Sequence, residues 1–72
     1  MVEFRELDVV MLAEDLPAVG LTAGTIGTVV YVFRMPHLAY EVEFTDQDGA
    51  TVALVTVRAG QLGPAGPRSP LR

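Results

Sequence analysis

The five residues Tyr40-Glu41-Val42-Glu43-Phe44 alternate strictly between apolar and acidic side chains. A period of two is that of a β-strand, and it turns Tyr40, Val42 and Phe44 to one face and Glu41 and Glu43 to the other. The sheet that contains this strand has one dry face and one wet face, and the neighbouring strands must conform to that division. Asp46-Gln47-Asp48-Gly49 follows directly. Glycine accepts a positive φ and aspartate bonds nearby backbone amides, so this segment predicts a hairpin connection. The run Thr51 to Val57 then pairs back as the next strand.

Other segments carry weaker versions of the same signal. Thr25 to Phe33 is rich in β-branched and aromatic residues and predicts a strand, with Gly27 marking a bend or a close backbone approach. Leu7 to Ala13 predicts the first strand. Between them, Glu14 to Gly24 holds Pro17, Gly20 and Gly24 and reads as a long loop whose Leu16, Val19 and Leu21 can cover one end of a core. Arg34-Met35-Pro36-His37 interrupts the pattern, because proline cannot donate to a ladder. Arg58 to Leu62 is long enough for one helical turn, after which a short strand can close the sheet. From Gly63 to Arg72, five of ten residues are Gly or Pro, a composition that predicts a disordered tail.

A chain of 72 residues without cysteine has neither disulfides nor thiolate metal sites to supplement its core. At this size roughly 60% of the extended surface can be buried, enough for one thin core. Short strands, one long loop and the lack of a helical pattern predict an all-β fold, a small five-stranded barrel over residues 1–62 with a tail over 63–72. Residues 1–62 carry three arginines against nine acids, a net charge of −6, and the chain has no lysine. Phosphate backbones are bound by clustered Lys and Arg, so this balance argues against nucleic acid. Glu3, Arg5, Glu6 and Asp8 interrupt any apolar leader, and no apolar run is long enough to span a membrane. A cytoplasmic location with no membrane contact is the expectation.

The phrases Leu7-Asp-Val-Val, Glu14-Asp-Leu-Pro, Gly24-Thr-Ile-Gly-Thr-Val-Val, Tyr40-Glu-Val-Glu-Phe and Val52-Ala-Leu-Val-Thr resemble an uncharacterised bacterial family, domain of unknown function 4926. The resemblance covers roughly residues 4–64 and implies an SH3-like barrel without implying an activity. More broadly, the glycine-bracketed strand Gly24 to Val30 resembles the ribosomal KOW motif. It also resembles small SH3-like accessory chains, among them a photosystem I subunit and the nitrile hydratase beta subunit. Those relatives bind RNA or a large protein partner. The basic residues of the KOW type are missing here.

Catalytic and metal constellations fail on inspection. His37 is the single histidine, and with no cysteine it cannot assemble the three or four ligands of a zinc site. Asp46-Gln47-Asp48-Gly49 resembles the start of a calcium loop, but Val57 stands where the bidentate glutamate belongs. Glu41 and Glu43 have the spacing of a carboxylate pair on one strand, yet read as a solvated face. Neither a dinucleotide fingerprint nor a phosphate-binding lysine is present. No cofactor is expected.

Two features point outward. Val29 to Phe33 and Val52 to Val55 are apolar on both faces, more than a small barrel can bury, and leftover apolar surface marks a partner site. Pro64, Pro67 and Pro70 recur every three residues, a spacing shared by polyproline II ligands and by low-complexity ends. The expected function is a non-enzymatic protein-interaction module, an accessory, regulatory or antitoxin- or immunity-like subunit of a neighbouring protein, and homo-oligomers fit the same surplus. The expected contact residues are Tyr31, Phe33, Tyr40, Glu41 and Glu43, with Leu16 and Val19 in the loop Glu14 to Leu21. A KOW-like nucleic-acid-binding domain is the alternative.

Overall fold

A computed structural model describes residues 3–65. They form five strands, β1 (Val9–Leu12), β2 (Ile26–Phe33), β3 (Ala39–Thr45), β4 (Thr51–Val57) and β5 (Leu62–Pro64). All pair antiparallel in one sheet of order β4-β3-β2-β1-β5. Consecutive strands are neighbours until the 3₁₀ turn Ala59–Gln61, which returns the chain to pair β5 with β1. No helix among the described residues is long and apolar enough to cross a membrane.

The alternation in β3 sets the layering. Tyr40, Val42 and Phe44 are fully buried, while Glu41 and Glu43 lie on the opposite face. Val10 and Leu12 of β1, Val29 of β2, Val57 of β4 and Leu62 of β5 join the same cluster, with Phe4 and Leu21. With no second sheet among the described residues to cover it, a flat sheet would leave this face open to water. Burial of residues from all five strands requires the sheet to curl around its own core. A fully buried apolar side chain of this size contributes about 1.5–3 kcal/mol relative to exposure, which gives Tyr40 and Phe44 their weight in so small a core.

Several boundaries differ from expectation for local reasons. The first strand begins at Val9 because Leu7 adopts a left-handed φ of 74° and the Asp8 carboxylate accepts the Arg5 N–H at 2.8 Å, forming a turn instead. The sheet also continues past the expected boundary at Leu62, since Gly63 pairs with Met11 and Pro64 with Val10. The tail expected from there on is described only through residue 65, and the expectation for 66–72 lies outside the described residues.

Within the long loop, the 3₁₀ turn Pro17–Val19 ends at Gly20, and Leu16 and Leu21 exchange backbone hydrogen bonds of 2.8 and 3.2 Å across it. The loop is thus a closed lobe that delivers Leu21 to the core.

Candidate interaction face

One irregularity decides what the wet face contains. In the pairing of β2 with β3, Val29 lies opposite Val42 and Tyr31 lies opposite Glu41, so Val30 is an extra residue without a partner. A bulge of this kind reverses the facing of every residue beyond it. Before the bulge, the odd position Val29 points into the core; after it, the even position Val32 packs against the core and Tyr31 and Phe33 turn outward. Their rings meet edge to face with centroids 4.8 Å apart, a favourable aromatic geometry.

Across the sheet, residues on one face form rows. One row runs Tyr31, Glu41, Thr56, and a second runs Thr28, Glu43, Leu54. Both carboxylates are half-buried in these rows and are held by β4 hydroxyls. Thr56 Oγ1 donates to Glu41 Oε1 at 2.5 Å, and Thr51 Oγ1 donates to the Glu43 carboxylate. Among the described residues the ion pair is Arg34–Glu3, in which Glu3 raises the Arg34 pKa above its ordinary value, mainly by the hydrogen bond between them. Hydroxyls and not cations therefore orient Glu41 and Glu43. Each keeps a second carboxylate oxygen and its charge available for an incoming donor.

Beyond Phe33, a shallow depression of about 310 Å³ is lined by Phe33, Met35, Pro36, His37, Ala39 and Thr56. Met35 is among the most exposed apolar side chains of the described residues. His37 borders this depression, and no three His, Cys, Asp or Glu side chains converge among the described residues.

The expected contact residues divide. Tyr31, Phe33, Glu41 and Glu43 share the outer face. Tyr40 does not: it is wholly enclosed, its ring packed edge to face on Phe4, because the parity that exposes Glu41 buries its neighbour. Leu16 and Val19 sit in the loop that joins the start of β2, where Leu12 N donates to Thr25 O, at the other end of that strand from Phe33. They do not meet the aromatic pair. Two acids of the loop are already engaged, Asp15 with the Ala23 N–H at 2.8 Å and Glu14 with the Gln61 amide at 3.2 Å. Leu54, Thr51 and Thr56 belong to the face without any local signal in the sequence, since only the pairing of β4 with β3 brings them to Glu43 and Glu41.

Residues 6–64 match the family described as Domain of unknown function (DUF4926). The chain belongs to this family. No curated protein and no solved structure matches it. The DUF4926 match spans every strand from β1 to β5, so the outer face and the carboxylate clamp lie within it.

Proposed function

We propose that this DUF4926 chain is a non-enzymatic protein-interaction module, an SH3-like barrel acting in the cytoplasm as an accessory, regulatory or antitoxin-like subunit. The observation that supports it is the outer face of β2, β3 and β4, where Tyr31, Phe33 and Leu54 surround two carboxylates held by threonine hydroxyls. Partner surfaces combine aromatic contact area with complementary charge. A face that is apolar and negative suits a protein segment that brings Arg or Lys together with an apolar side chain. Nucleic acid is disfavoured by the net charge of −6 over residues 1–62 and by the engagement of Arg34 with Glu3.

The test is capture of partners by the full-length chain beside the double variant Glu41→Arg with Glu43→Arg. Loss of a stoichiometric partner from the variant supports this face. Retention of the same partner removes it, and binding of RNA or DNA at low salt moves the reading to the nucleic-acid class.

A further inference from the structure

The two edges of the sheet are built differently. β5 has three residues, includes Gly63 and ends in Pro64, a short edge that offers little to a further strand. β4 has seven residues, Thr-Val-Ala-Leu-Val-Thr-Val, with neither charge nor proline, and among the described residues it pairs with β3 alone. Val52 and Leu54 on it are each more than half exposed. Such a strand is the kind that natural sheets normally guard.

Its free hydrogen-bonding groups follow from the ladder. Val29 N donates to Asp8 O at 2.9 Å and Leu7 N donates to Val29 O at 2.6 Å, so Val29 faces β1. Backbone groups alternate sides along a strand. Thr28 therefore faces β3 and engages Glu43, which leaves Val42 and Phe44 facing β4, where they meet Val55 and Ala53. Leu54 and Thr56 must then turn their N–H and C=O groups to the open edge.

We infer that β4 is the interface with a second copy of this chain, the two strands pairing antiparallel across a two-fold axis. An open ladder requires a strand as its occupant. A second copy supplies one that is uncharged, whereas the rest of an acidic domain repels its like. Pairing about Val55 sets Leu54 against Thr56 of the other copy in hydrogen-bonded register, apolar and β-branched positions facing each other without a charge. The extra residue Val52, left unpaired between Ala53 and Thr51, bends the strand away beyond this segment. Because the β5 edge is guarded, assembly closes at the dimer. This inference rests on the strand edges and stands apart from the partner reading of the carboxylates.

The test is the mass of the full chain from micromolar to millimolar concentration, with amide exchange followed residue by residue. The mass is expected to rise from 7.7 kDa to twice that value. Protection of the Leu54 and Thr56 amides is expected to rise about tenfold on concentration, while Ala53 and Val55, already bonded to β3, change little. Leu54→Lys places a charge on the exposed side of the edge and should abolish the mass increase. A chain that stays at 7.7 kDa overturns the inference, as does a dimer in which Leu54 and Thr56 gain no protection. The exchange pattern of the natural chain decides the matter even where Leu54→Lys fails to fold.

Discussion

The Tyr40 hydroxyl accepts a hydrogen bond of 3.1 Å from the backbone N–H of Phe4, while the two rings meet edge to face at 5.6 Å. A single side chain of β3 thereby anchors the segment that precedes β1. Tyr40→Phe keeps the ring contact and removes the acceptor, leaving a buried N–H without its partner. The expected loss is about 1–3 kcal/mol, read as a lower urea midpoint at unchanged slope. A midpoint equal to that of the natural chain would show that the Phe4 N–H finds water instead.

Gly27 is required for space. A Cβ there would stand 2.7 Å from atoms of both Phe44 and Val42 and 2.9 Å from the Glu43 carbonyl oxygen. Phe44 and Val42 are fully buried and the carbonyl belongs to the ladder, so nothing can yield cheaply. Gly27→Ala is expected to destabilise by about 1–3 kcal/mol, measured by thermal or urea unfolding.

Gly49 is required for conformation alone. It has a φ of 86° in the β3–β4 hairpin, and a Cβ there would meet nothing within 4 Å. Gly49→Ala should cost about 1–2 kcal/mol from left-handed backbone strain. Asp46→Ala removes an acceptor shared by the Asp48 and Ala50 amides at 2.8 and 3.0 Å. Its expected cost is about 1 kcal/mol, and both variants should leave the remaining strands intact by amide exchange.

Thr56→Val separates orientation from charge on the candidate face. It preserves shape and removes the hydroxyl that donates to Glu41. Folding stability should change by less than about 0.5 kcal/mol, as for most exposed substitutions. Affinity for a captured partner should fall, though less than for the charge reversal of Glu41 and Glu43. Unchanged affinity in a calorimetric titration would mean that the threonine clamp is irrelevant to recognition.

Much of the fold was legible along the chain. The alternation of Tyr40 to Phe44 separates the dry face from the wet one, Asp46 to Gly49 marks the hairpin, and β4 lies over the expected Thr51 to Val57. These features are local: side-chain parity, turn chemistry and β-branching act over a few residues. What the sheet alone decides is phase. Val29 to Phe33 is apolar at every position, so no local rule says which side chains turn inward. Only pairing with β3 places the unpaired residue at Val30, and that bulge puts Tyr31 and Phe33 outside beside Glu41. The pairing of Gly63 and Pro64 with β1 is equally non-local, since neither residue favours a strand by itself. The amino-acid sequence by itself determined an all-β chain with one acidic, half-wet strand. The tertiary register decided which aromatics share that strand's wet face, because a ladder shifted by one residue exchanges inside for outside.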